Sequence, residues 1–262
     1  MDRVLVYTAT YGGLLRRETL DSVYAQEFAG RYDYEVGYHN PFGEGDLRNV
    51  TAQMNLAREM ALTDGYDALL TVEHDMQIPS KALQLLWDAD APVAYGVYVF
   101  RHAYRYLNTY EAMPMGSRGI GESLTLHPKK LERARKTVIA EVSGVGFGCT
   151  LIRRAVLQEI EFRHRPGDMC GTDTYFAQDC VRAGIRQVAR WDVPCNHWNG
   201  SRWLRPEDES TLGNLDMVPV RALADVTLRI GLNSVPLRTG DEIQMPLADA
   251  KEHARAGYIL IC

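Results

Sequence analysis

The sequence predicts an α/β protein with a mixed, mostly parallel sheet and helices on both faces. Three observations carry that expectation. Short apolar runs alternate with amphipathic stretches through the first hundred residues, the β-α-β-α order that builds such sheets. The 262 residues are 46% hydrophobic and 24% charged, the balance of an ordinary globular chain that needs no disulfide or structural metal to fold. Loop-forming or acidic segments follow the apolar runs, on the sheet edge where open α/β folds bind ligands.

In order, Arg3–Tyr7 (RVLVY) reads as a buried strand and Thr8–Gly13 as the loop leaving it. Leu20, Val23, Tyr24 and Phe28 recur at helical spacing, and Tyr34–Tyr38 forms a second strand closed by the turn-rich NPFGEGD. A helix over Asn49–Thr63 places Val50, Met54, Ala57 and Ala61 on one face. Asp67–Val72 is a third strand, ending in Glu73-His74-Asp75. Pro79 suits the first turn of a helix running to Trp87, and Pro92–Phe100 is the next strand. From Arg101 to Ala140 the pattern loosens: Arg101, His102 and Arg105 interleave with Tyr104, Tyr106 and Tyr110 before the run HPKKLERARK. Val142–Ile152 (VSGVGFGCTLI) restores regular structure, with a short helix to Ile160. Asp173 opens another helix that Gly184 ends as a C-cap. Strand-like RQVARWDV then leads to PCNHWNG, and from Leu228 a β-β-α-β unit follows, with its helix over Leu247–Ala256. The organisation expected is a main domain over 1–204, a polar linker over 205–227 and a small appendage over 228–262.

Net charge is −5, so no global basic field draws the chain to nucleic acid or an anionic membrane. No apolar stretch is long enough to span a bilayer, and MDRVLVYTAT meets charge too early for a signal peptide. The five cysteines show neither C-x-x-C nor zinc-ligand spacing and read as reduced thiols of a cytoplasmic protein.

Glu73-His74-Asp75 is the sharpest chemical feature. Alternation at a strand end turns both carboxylates to one side and His74 away, and two convergent carboxylates suit a hard divalent cation that also holds substrate phosphates. The plainer alternative is an acidic terminus that solvates a loop.

In its context this tripeptide resembles the GT-A fold glycosyltransferases, in particular the bacterial and phage polysaccharide-type nucleotide-sugar transferases. The match runs in order over residues 3 to 200: VYTATYGG, then Asn55-Leu56-Ala57-Arg58, then DALLTV-EHD-MQIP in the place of a strand ending in Asp-x-Asp. GVGFGCTLIRRAVL, GTDTYFAQDCVRAGI and PCNHW follow. The chain departs from the pattern at Glu73, which stands for the first Asp, and at Thr172, which leaves Asp173 alone in the acidic pair.

The resemblance implies a Rossmann-like sheet and a metal-dependent transfer from a UDP- or GDP-linked sugar to a hydroxyl on a glycan, a protein or a modified DNA base. Asp75 and His197, with Glu73, would hold Mn2+ or Mg2+. Thr8, Thr10, Tyr11, Arg58, Glu73, His74 and Gly146 would face the donor, and Asp173 would be the base of an inverting displacement. Plainer roles stand beside these: Asp173 as a helix N-cap, His197 as a packing residue, Arg58 as a solvated helix cation, and Arg101–Lys136 as a solvated face rather than an acceptor-side lid. Two other functions fit less of the chain. A sugar-nucleotide nucleotidyltransferase would want a basic Gly-rich loop that TATYGGLLRR lacks, and a non-catalytic phage module of the same fold would use the sheet only to bind or build. For the catalytic reading the expected location is the cytoplasm, that of the host if the chain is phage-encoded.

Overall fold

The protein is described by a computed structural model over residues 1–10, 12, 14–43, 46–100, 106–112, 122–125, 138–165, 171–206, 217–230, 233–246, 250 and 253–261. The N-terminal elements are β1 (Arg3–Ala9), α1 (Arg17–Tyr24), β2 (Arg31–Gly37), α2 (Arg48–Thr63), β3 (Ala68–Val72), β4 (Met76–Gln77), α3 (Ala82–Trp87) and β5 (Val93–Val97). The middle of the chain adds β6 (Tyr106–Ala112), β7 (Glu122–Thr125), β8 (Ile139–Glu141), β9 (Gly144–Val145), β10 (Cys149–Arg153) and α4 (Arg154–Glu159). Then come α5 (Thr172–Arg182), β11 (Gln187–Pro194), β12 (Asn196–Trp198) and β13 (Trp203–Leu204).

Seven strands form the main sheet in the order β2-β1-β3-β10-β5-β11-β8. β2, β1, β3, β5 and β11 run one way, while β10 and β8 run against them. This is the mixed, mostly parallel sheet that the alternating sequence predicts. β3 and β5 are buried along their whole length, which explains their continuous apolar runs. The chain leaves β1 for β2 on one side and returns to β3 on the other, so the switch point lies between β1 and β3.

Two arginines lock α2 and α4 together. Arg154, the first residue of α4, donates to the carbonyls of Ala61, Leu62 and Tyr66 at the end of α2. Arg58 of α2 donates through Nε to Leu157 O (2.6 Å) and Ile160 O (3.1 Å) at the end of α4. Each guanidinium thus serves carbonyls that a helix end leaves open. Beyond them, Phe147, Phe162 and Phe176 pack with ring centroids 5.3–5.5 Å apart, and this cluster ties the glycine-rich segment to α5.

Several boundaries differ from the sequence reading. α1 ends at Tyr24, with Phe28 instead edge-on to Trp87. α3 begins at Ala82 rather than Pro79, whose carbonyl accepts the Ala82 N–H. Gly184 stands beyond α5 at φ +69° and receives its cap as expected. At the C-terminal end, β14 (Met217–Ala222) lies inside the stretch 205–227 read as a linker. It forms a sheet with β17 (Glu242–Pro246) and β18 (Ile259–Ile261), while β15 (Val226–Ile230) and β16 (Asn233–Leu237) make a hairpin. Val220, Ala222, Leu228, Leu237, Met245, Ala250 and Ile259 close a small core of their own. Proline inside β14 and polar residues around it obscured the strand in the sequence. The unit therefore has three strands from Val226 onward before its helical residues, not two.

Candidate metal and transfer site

The strand β3 stops at Val72, and Glu73-His74-Asp75 form the turn into β4, closed by Met76 N–H to Glu73 O at 3.1 Å. The carboxylates therefore converge through a turn, not through strand alternation. Backbone contacts fasten this turn on several sides. Glu73 N–H donates to Gly148 O (3.3 Å), Trp198 N–H to Asp75 O (3.0 Å), and Arg16 N–H and Thr19 Oγ1 both to His74 O (3.1 and 3.0 Å). His74, half-buried, thus anchors the turn to the start of α1 through its carbonyl.

His197 arrives from β12, which pairs antiparallel with β4 in a small sheet outside the main one. One ligand atom from each of Glu73, Asp75 and His197 lies within 4.8 Å of the others, and His197 Nε2 is 3.5 Å from Asp75 Oδ2. Asp75 and His197 are 3% and 6% exposed. On the other side of the ring, Nδ1 lies 2.8 Å from Val99 O. A carbonyl can only accept, so Nδ1 carries the proton and Nε2 faces the carboxylates, the arrangement that orients a metal-ligating histidine. His197 Nε2 is buried with no hydrogen-bond partner among the described residues. Burial alone pushes the His197 pKa down, but Asp75, the Val99 carbonyl and Glu73 together lift it above its ordinary value. This group could bind a metal ion: two carboxylates and a pre-oriented imidazole are a donor set for a divalent cation.

Asp173 is the second residue of α5, so Gly171 and not Asp173 occupies the N-cap position. Its Oδ1 accepts the Thr174 N–H at 2.8 Å, and burial raises its pKa against the lowering effect of the hydrogen bonds it accepts. Oδ2 faces Gly146: a Cβ built there would lie 3.0 Å from it and would overlap Tyr98 Oη and Asn108 Nδ2. At Gly148 a Cβ would come within 2.6 Å of the Tyr98 ring. These glycines admit a buried tyrosine, where the sequence reading set Gly146 to face the donor.

The other expected donor residues are placed in two groups. Thr8 and Thr10 stand at the end of β1 by the β1/β3 switch point, both buried. Tyr34 Oη donates to Thr8 Oγ1 (3.1 Å), Thr10 Oγ1 donates to Gly37 O (2.5 Å), and Gln53 brackets the Thr10 backbone with both amide atoms. Their side chains are thus engaged in hydrogen bonds within the sheet edge. Arg58 commits its Nε to α4 carbonyls, and Asn55, of the same segment, exchanges two hydrogen bonds with the Phe162 backbone. The Asn-Leu-Ala-Arg segment thereby staples α4 and the loop after it. Tyr11, Arg101, His102, Tyr104, Arg105 and the run HPKKLERARK lie outside the described residues. Tyr98 and Asn108 escaped sequence reasoning altogether, and only the spacing of Gly146 and Gly148 hinted that something bulky lies against them.

No helix among the described residues is long and apolar enough to cross a membrane. No family model matches the chain, and no curated protein matches it by sequence. Solved structures do. A197 from STIV is 21% identical with a TM-score of 0.51, covering 78% of this chain and 91% of that one. TarS residues 1–349 from S. aureus, in complex with UDP, is 14% identical with a TM-score of 0.41, covering 73% of this chain and 58% of that one. The likeness to A197 is one of fold: a known α/β architecture covers 78% of this chain.

Proposed function

We propose that this chain is a divalent-metal-dependent glycosyltransferase that moves a sugar from a UDP- or GDP-linked donor to a hydroxyl acceptor with inversion. The observation that carries the reading is His197, its tautomer fixed by Val99 and its Nε2 turned toward Asp75 and Glu73 at the carboxyl rim of the sheet. Asp75 and His197 would be the direct ligands, with Glu73 beside them, and Mn2+ or Mg2+ suits that set. A divalent ion bound there supplies positive charge to offset a departing nucleoside diphosphate.

The chain's own residues account for the rest. Thr8 and Thr10 are assigned to the base and ribose side of the donor site, and Tyr11 is expected to contribute to donor binding there. Asp173 takes the proton of the acceptor hydroxyl at Oδ2, and its raised pKa brings it nearer the operating pH, as general-base catalysis requires. In this reading residues 1–204 are the catalytic unit and 228–262 an appendage to it. The test is release of UDP or GDP from UDP-glucose and GDP-mannose in the presence of Mn2+. Release by the native protein and its loss in Asp75→Asn support the reading; neither release nor nucleotide binding with any metal overturns it.

A further inference from the structure

Between the carboxylate–histidine cluster and Asp173 lies a side chain that neither the sequence pattern nor the proposed chemistry uses. The Tyr98 ring stands edge-on to the His197 imidazole, with centroids 5.3 Å apart and planes at 87°. Its hydroxyl oxygen accepts the Gly148 N–H at 3.1 Å and a hydrogen bond from Asn108 Nδ2. Both acceptor directions of the phenol are then filled, so its own proton is left to point at a third group. Tyr98 Oη and Asn108 Nδ2 also crowd the point beside Gly146 that lies 3.0 Å from Asp173 Oδ2. A phenol both donates and accepts, so the proton of Tyr98 remains available as a donor. Tyr98 and Asn108 are 1% and 5% exposed, too enclosed to touch a ligand, and can act only through their neighbours.

We propose that Tyr98 is the positioning residue for both ends of the site: its ring orients His197, and its hydroxyl, with the Asn108 amide, sets the Asp173 carboxylate against Gly146. The proposal rests on the transferase reading of those residues. It also explains why two glycines stand here, since any side chain at 146 or 148 would displace the tyrosine.

The test separates hydroxyl from ring. In Tyr98→Phe, Mn2+ affinity with UDP or GDP should stay within about twofold of native. The carboxyl 13C resonance of Asp173, assigned by its absence in Asp173→Asn, should move, and kcat for nucleoside diphosphate release should fall at least tenfold with donor KM unchanged. In Tyr98→Leu, Mn2+ affinity should fall as well. Because Phe leaves Asn108 and Gly148 without their acceptor, 3,5-difluorotyrosine at position 98 provides a near-isosteric second variant with the same expected directions. An Asp173 resonance and kcat that both stay native in the Phe and fluorinated proteins overturn the proposal, as does equal loss of Mn2+ affinity in Phe and Leu variants. The resonance is read without turnover, so a native protein that fails to bind metal and nucleotide refutes the transferase reading separately.

Discussion

Substitution of Asp75 by Asn offers the sharpest test of the metal reading, because it removes charge and keeps shape. Asp75 is buried and its carboxylate stands 3.5 Å from His197 Nε2, so solvent cannot replace the lost ligand cheaply. A ligand that binds only the folded state at a hundred times its dissociation constant stabilises by about 2.7 kcal/mol. For a chain of this size that raises Tm by roughly 5–10 °C, at about 2–4 °C per kcal/mol. Losing even an outer-shell partner weakens metal binding by about 10–100-fold, so losing Asp75 should reach at least the upper figure. At the same Mn2+ concentration the variant then keeps about 0.4 kcal/mol, or roughly 1 °C. The assay is differential scanning fluorimetry with and without Mn2+, in UDP and in GDP, each variant compared with its own metal-free curve. A full shift in Asp75→Asn would refute the ligand assignment, and no shift in the native protein would refute the site.

Three further outcomes are expected. Asp173 has its pKa raised by burial, so its neutral form favours the fold: that contribution is complete below about pH 3.9 and is lost as pH rises through the folded value. Asp173→Asn should therefore raise Tm at pH 7 but not at pH 3 while abolishing transfer; a variant no more stable at pH 7 than the native chain would contradict the sign. Arg58→Ala strands the α4 carbonyls and should cost about 1–3 kcal/mol of stability while leaving the Mn2+–nucleotide shift intact, whereas loss of that shift would return Arg58 to a phosphate. Gly148→Ala drives a methyl group into the Tyr98 ring and should cost about 1–3 kcal/mol, read as a lowered midpoint in urea; an unchanged midpoint would mean that the ring moves freely.

The fold was legible because its signals are local. β3 and β5 announce themselves as unbroken apolar runs, since both faces of each are covered. The carboxylate–histidine cluster was legible for a weaker reason: Glu73 and Asp75 stand two residues apart in sequence, and only His197 needs the fold to bring it across. The geometry around His197 was invisible, because Tyr98 and Val99 come from the segment just after β5, about a hundred residues earlier, and carry no polar pattern. Arg58 shows the opposite failure. A guanidinium in the last two turns of an amphipathic helix looks available for a phosphate, but its partners are backbone carbonyls at a helix end about a hundred residues away, which no local pattern encodes.

Whether a proton or a metal ion joins His197 to Asp75 decides what the site can do, and charge arithmetic is consistent with the metal of the proposed reading. The Val99 carbonyl fixes Nδ1–H, so a second proton on Nε2 would make an imidazolium facing Asp75. A charge-assisted hydrogen bond of that kind closes to about 2.7–2.9 Å, whereas the atoms stand 3.5 Å apart. One imidazolium beside the carboxylates of Glu73 and Asp75 also leaves a net negative charge in a largely buried group, which is costly. A neutral imidazole, two carboxylates and one divalent cation sum to zero. The spacing and the second carboxylate both fit donors that could be arranged around a cation.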